Sequence, residues 1–237
     1  MDLCITHIDT DKLPEITSKG WNVLAINSKF VAEKSGLKSI HNASVSDTTL
    51  LFSPLNVLNN NCGNNKQIQI LTRASVHVVD GFVPGNLNKL SGYSILAIEP
   101  SSQKTFQLCC ENINADIITI DYKSTNLSWK VKRKLILAAI RRGLCFEICL
   151  GESGVFGNPN IIPHLNNLIR YIPLNKLIIT SGCKSNDLLP LTTFVAHVAL
   201  LLGVTHNEAF RIIDKSAKQC LYKAAARLTH QTGISKL

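Results

Sequence analysis

The chain has 237 residues, 45% hydrophobic and 17% charged, a composition that excludes intrinsic disorder and allows a full core without disulfide or metal staples. It carries 25 Lys+Arg against 16 Asp+Glu, and the excess is uneven: residues 1–120 hold 9 basic and 10 acidic side chains, residues 121–237 hold 16 and 6. That basic half points to a polyanionic partner, nucleic acid foremost, while no unbroken run of roughly 18 apolar residues argues for a membrane span.

Short apolar runs alternate with helix-like segments. Leu3–Ile5 reads as a strand, followed by a helix near Thr10–Lys19. Val23–Asn27 is a second strand and Gln67–Val79 a longer apolar run. Between them, Ala32–Gln67 is the least structured region; its Asn59–Asn65 stretch is turn-rich and reads as a surface loop. Ser94–Ile98 and Asp116–Asp121 are strands, with a helix near Ser102–Glu111 between them and one at Ser128–Arg142 after them. Leu144–Leu150 and Lys176–Ser181 complete the strands, separated by a helix near Pro163–Tyr171. Two helices close the chain, the first a buried one within Leu188–Val204. The second opens with a capping box at Thr205-His206-Asn207-Glu208 and carries an apolar stripe from Ala209 to Ala224. Arg211, Lys215 and Lys218 fall on another stripe of that helix.

Strands alternating with helices imply a parallel sheet covered by helices. Runs such as Ile117–Ile120 and Leu177–Thr180 are apolar at nearly every position, as in strands buried on both faces. About seven such units favour an α/β fold closed into a TIM-like barrel over an open doubly wound sheet. Residues 1–237 are expected to form one domain. The N-terminus, Met1-Asp2-Leu3-Cys4, has neither the basic nor the apolar region of a signal peptide.

Catalytic constellations are weak. The eight cysteines contain no C-x-x-C pair and read as small buried hydrophobes in a reducing setting. A barrel phosphoesterase of the polymerase-and-histidinol-phosphatase type would show His-x-His after the first strand; here only His7 stands there, and the other histidines are scattered. Gly151-Glu152-Ser153-Gly154 is not a nucleophile elbow. Thr180-Ser181-Gly182-Cys183-Lys184 follows the last strand and is either a phosphate-contacting loop, with Lys184 in it, or a tight strand exit. No catalytic residue, metal or cofactor is expected.

The strongest feature is basic. From Tyr122 through Phe146 there is no Asp or Glu, yet the segment holds Lys123, Lys130, Lys132, Arg133, Lys134, Arg141 and Arg142. Seven cations with no local anion repel one another and are relieved by an external anion. Aromatic residues are only 6% of the chain, so contact with a phosphate backbone fits better than base stacking on an aromatic platform.

The sequence then resembles a known family. Asp2-Leu3, Gly20–Asn27, Ile70-Leu71-Thr72-Arg73, Asp116–Ile120, Ala139–Glu147, Ile178–Gly182 and Leu200–Val204 are similar, in order, to segments of the thirty-kilodalton protein subunit of ribonuclease P and RNase MRP. The resemblance implies a distorted barrel related to the metal phosphoesterases but without their metal cluster. It implies a non-catalytic subunit bound to RNase P RNA (with MRP RNA as a second candidate), acting on precursor tRNA indirectly and supporting rRNA processing. It also implies a Pop5-type protein partner and, in a eukaryote, a place in the nucleus and nucleolus. The expected RNA contacts are Lys130, Lys132, Arg133, Lys134, Arg141, Arg142, Lys184, Arg211, Lys215 and Lys218, with Arg73 as a structural or RNA contact. A metal-dependent phosphoesterase is the rival reading, resting on fold analogy alone.

Overall fold

A computed structural model of the chain describes residues 1–42, 51, 53–59, 68–120, 132–151 and 169–231. Seven parallel strands form a nearly closed barrel: β1 Asp2–Ile5, β2 Val23–Glu33, β4 Gln69–Val78, β5 Ile95–Pro100, β6 Ile117–Thr119, β7 Cys145–Cys149 and β8 Leu177–Thr180, in that order around the wall. The remaining strand, β3 Gly36–His41, lies off this path and pairs antiparallel with β2.

The helices are α1 Leu13–Ser18, α2 Pro54–Asn59, α3 Gln103–Glu111, α4 Arg133–Arg141, α5 Leu191–Leu202 and α6 His206–Gln231. None of them is long and apolar enough to cross a membrane.

Period-2 alternation divides the strand residues into two apolar layers. Leu24, Ile26, Ile70, Leu96, Phe146 and Ile179 point outward into the layer beneath the helices. Val23, Ala25, Leu71, Ile95, Ala97, Ile117, Cys145 and Ile178 point inward and fill the barrel together with Ala217, Cys220 and Leu221 of α6. The inward strand residues sit at the strand starts, so α6 plugs the N-terminal end of the barrel. This explains why strands that read as uniformly apolar are buried on both faces.

Polar bonds lock the plug. Arg227 of α6 donates through Nε to both Asp116 oxygens at 3.0 and 3.2 Å, and through Nη2 to the Tyr93 and Ser94 carbonyls at 3.0 and 3.2 Å. Leu96 N–H adds a bond to Asp116 Oδ2 at 2.8 Å. The predicted capping box starts the same helix: Thr205 N–H donates to Glu208 Oε2 at 2.9 Å, and Glu208 N–H returns to Thr205 Oγ1 at 3.3 Å.

The barrel seam lies between β1 and the end of β8. Gly182 N–H donates to the Cys4 carbonyl and Thr6 N–H to the Cys183 carbonyl, both at 3.0 Å. Gly151 N–H reaches the Ser181 carbonyl at 2.7 Å; a Cβ at 151 would stand 2.5 Å from that oxygen, which is why glycine occupies the position.

One expectation needs correction. The region Ala32–Gln67 is more ordered at its start than its composition suggests. β2 runs on to Glu33 and turns through Lys34-Ser35 into β3, with Gly36 at φ +139°. The first arm stays paired with β4 as far as Ala32, and the second strand is largely exposed, so it lacks the apolar pattern that marks a core strand. Most of the Asn-rich loop, the start of the helix expected from Ser128 and most of the helix expected near Pro163–Tyr171 lie outside the described residues.

Candidate functional site

Beyond the apolar filling, the inward positions turn polar toward the C-terminal ends of the strands. Arg73 of β4 and Glu147 of β7 meet across the interior with side-chain exposures of 1% and 0%. Arg73 Nη1 and Nη2 donate to the two carboxylate oxygens at 2.5 and 2.6 Å, a bidentate pairing. The remaining donors are also matched: Nη1 to the Leu3 carbonyl at 2.8 Å, Nε to Ser75 Oγ at 3.0 Å and Nη2 to Thr119 Oγ1 at 3.4 Å. Glu147 in turn accepts from the hydroxyls of Thr119 and Thr180. Burial alone would push the Glu147 carboxyl up; the Arg73 charge, its hydrogen bonds and the two threonine hydroxyls outweigh this and hold it below the ordinary range.

Above this pair lies a cavity of about 230 Å³ at the barrel mouth. Asn27, Ser75, Thr119 and Cys149 contribute to its inner wall, and Lys29, His77 and Glu99 stand further along their strands. Phosphoesterase chemistry in such a mouth needs converging metal ligands. Among the described residues no three His, Cys, Asp or Glu side chains converge in that way, and His7 is exposed at the seam. The cation at the centre of this barrel is a guanidinium, already satisfied.

The second feature is on the outside. α4 returns antiparallel to β6 and β7, which places its first turn on the mouth face of the barrel. Leu135, Ile136 and Ala139 bury one side of the helix against the core. Lys132, Arg133, Lys134 and Arg141 are exposed. Among the described residues, no ion pair involves any of these four. Three of them crowd the N-terminal end, where the helix dipole disfavours positive charge. That end carries no acidic residue in its first turn and no side-chain cap. Three exposed cations therefore stand together at a helix end without an acid or a side-chain cap, an arrangement that an external phosphate would stabilise.

The other predicted contacts separate. Lys130 lies outside the described residues. Arg73 is an interior residue and cannot reach a macromolecule from where it sits. Arg142 is turned inward: Nη1 donates to the carbonyls of Cys109 and Cys110 at 3.3 and 3.0 Å, and Nη2 to that of Ile113 at 2.6 Å, capping the C-terminal end of α3. Its place in the basic run made it look like its neighbours; one residue past Arg141, it falls on the buried side. Lys184 is exposed beside the seam. Arg211 and Lys215 are exposed on α6 next to Leu174 and Val204, and Lys218 pairs with Asp214 at 2.8 Å.

A family model, RNase P subunit p30, matches residues 1–229. The chain belongs to the RNase P subunit p30 family. Among its relatives is Protein GAMETOPHYTE DEFECTIVE 1 of Arabidopsis thaliana, 30% identical over 158 residues, which are 64% of this chain and 27% of that protein. Ribonuclease P protein subunit p30 of Mus musculus is 26% identical over 220 residues, covering 89% of this chain and 78% of that protein. The chain thus spans about a quarter of the plant relative and most of the mouse one. A chain in a cryo-EM structure of archaeal ribonuclease P with mature tRNA shares the fold at a TM-score of 0.59 and 12% identity, over 94% of this chain and 91% of that chain.

The segments similar to the p30 family contain most of the buried charged or amide side chains among the described residues: Asp2, Asn27, Arg73, Asp116 and Glu147, with Arg227 outside them. Their signal in the sequence is a charge or amide inside an otherwise apolar strand. Glu147 within Cys145–Cys149 is the clearest case, and reading for cations alone passes over it.

Proposed function

We propose that this chain is a non-catalytic protein subunit of ribonuclease P that binds the RNA component through phosphate contacts on α4. The observation that carries the proposal is the exposed cation set Lys132, Arg133, Lys134 and Arg141, without an ion-pair partner among the described residues, on a helix without acids in a chain of the p30 family. Lys130 extends the set in sequence, and Lys184, Arg211 and Lys215 are secondary contacts on the same principle. Arg73, Arg142 and Lys218 leave the set, since each already has protein partners.

In this reading residues 1–237 act as one barrel that scaffolds an RNA, while the cleavage of tRNA leaders belongs to the ribonucleoprotein. Nuclear placement, a role in RNase MRP and rRNA processing, and a Pop5-type protein partner follow from the family and belong to the same proposal. A metal-dependent phosphoesterase is not favoured, because the mouth is held by a saturated Arg73–Glu147 pair and the described residues assemble no ligand cluster.

Crosslinking of the reconstituted protein–RNA complex, read by mass spectrometry, tests it. RNA should attach to peptides containing Lys132, Arg133 and Lys134. Crosslinks confined to other helices would overturn the assignment of α4.

A further inference from the structure

The barrel end opposite the mouth carries a depression of its own. There α6 closes the N-terminal ends of the strands, and the short turn Leu174–Lys176 leads directly into β8. An open groove of about 240 Å³ runs between the two. Leu174, Val204 and Ile212 give it an aliphatic lining, and Leu174 is 38% exposed. Arg211 and Lys215 line it as well; both are exposed, and among the described residues neither takes part in an ion pair. Glu208 is the acid of the lining. It sits in the first turn of α6, where its carboxylate accepts from the Thr205 N–H and hydroxyl at 2.9 and 2.8 Å.

The surface continues along α6. Tyr222 lies on the same side of the helix, about two turns beyond Lys215, and is 62% exposed. Asp214 is taken up by Lys218 at 2.8 Å, and after Asp214 the sequence holds no further acid. The excess charge beside the groove is therefore positive. These features narrow the occupant. An aliphatic groove accepts an apolar side chain and offers no ring face on which a base could stack. Tyrosine and arginine around an apolar depression are the residue types that anchor protein interfaces. Cations at its side are matched by carboxylates of a partner. A second copy of this chain fits poorly, because a two-fold pairing would set Arg211 and Lys215 against their own copies.

We propose that the α6 groove docks a segment of another protein subunit, an apolar side chain of which fills the groove while flanking aspartates or glutamates meet Arg211 and Lys215. The inference rests on the groove and not on α4 contacting RNA. It gives Arg211 and Lys215, secondary in the RNA reading, carboxylates in place of phosphates. Because the first turn of α4 lies on the mouth face, the chain would hold RNA toward one end of the barrel and a protein at the other.

Photocrosslinking tests this in the full chain assembled into its ribonucleoprotein, with benzoylphenylalanine in place of Asn175, an exposed residue of the lining. Attachment sites are read by mass spectrometry. The label should attach to one protein subunit, at a segment where an apolar residue is flanked by Asp or Glu. Arg211→Glu/Lys215→Glu should lower the yield about tenfold, and Arg211→Gln/Lys215→Gln by a smaller factor, both with the urea midpoint unmoved. Lys132→Ala/Lys134→Ala, aimed at α4, should leave the yield unchanged; an unchanged RNA affinity in that variant would count against the RNA reading and not against the groove. Attachment to RNA, attachment to a segment without acids, or no attachment outside this chain would overturn the proposal. So would a yield indifferent to both charge variants, or one that falls with Lys132→Ala/Lys134→Ala.

Discussion

Replacing Glu147 by Gln changes the charge of one buried group with almost no change in shape. In the folded chain Glu147 accepts two bonds from Arg73, at 2.5 and 2.6 Å, and two from Thr119 and Thr180. The amide keeps one accepting oxygen; its NH2 group confronts the donors that faced the other. Arg73, 1% exposed, would keep a full charge with no counter-charge. Leaving one partner of a buried pair uncompensated costs about 3–5 kcal/mol, a large share of a typical stability of about 5–15 kcal/mol. In urea, with a slope of about 2 kcal/mol/M, the midpoint should fall by about 2 M. The double variant Arg73→Met/Glu147→Leu removes both charges and should recover most of the loss, since apolar replacement of a buried pair is often neutral. Circular dichroism during urea unfolding at neutral pH measures all three proteins. A loss below about 1 kcal/mol for Glu147→Gln, or a double variant less stable than Glu147→Gln, would refute the view that the pair is one interdependent unit.

Two further outcomes follow from the same geometry. Arg142→Ala removes three bonds to the end of α3 and should lower stability by about 1–2 kcal/mol, while RNA affinity of the folded protein stays unchanged; a loss of affinity equal to that of Lys134→Ala would return Arg142 to the RNA-contacting set. Glu147 also predicts a pH dependence. Its folded pKa lies below the ordinary value of 4.5, so its stabilisation is complete above that value and is lost as pH falls through the lower, folded value. Between neutral pH and 5 the Glu147 contribution should therefore be flat, and below 4.5 the wild type should lose stability more steeply than Arg73→Met/Glu147→Leu; equal acid slopes would contradict the assignment.

The barrel was legible because its strands are short, apolar at nearly every position and regularly spaced, a pattern with few other solutions. The α6 stripe from Ala209 to Ala224 was legible for the same reason, and each of its members is buried. What composition could not show was direction. Arg141 and Arg142 are adjacent and identical in type, yet one faces solvent and the other caps α3, a difference fixed by about 100° of helical rotation. Arg73 was visible as a cation inside a strand, but its partner is 74 residues away, and only barrel closure brings the two together. Asn27 carries no charge and stands out only once it is seen buried in the wall of the mouth with its Oδ1 unpartnered. The β2–β3 hairpin was missed because an exposed strand lacks the apolar pattern on which strand recognition rests.

The most direct test of the proposed role is the salt dependence of RNA binding. Four phosphates held by Lys132, Arg133, Lys134 and Arg141 give a slope of log affinity against log salt of about −3, from roughly −0.7 to −0.9 per contact. Lys132→Ala/Lys134→Ala should bring the slope to between about −1 and −2 and weaken binding to all sequences alike. A slope near zero in the unmodified chain, or an unchanged slope in the double variant, would contradict the claim that α4 carries the RNA contact.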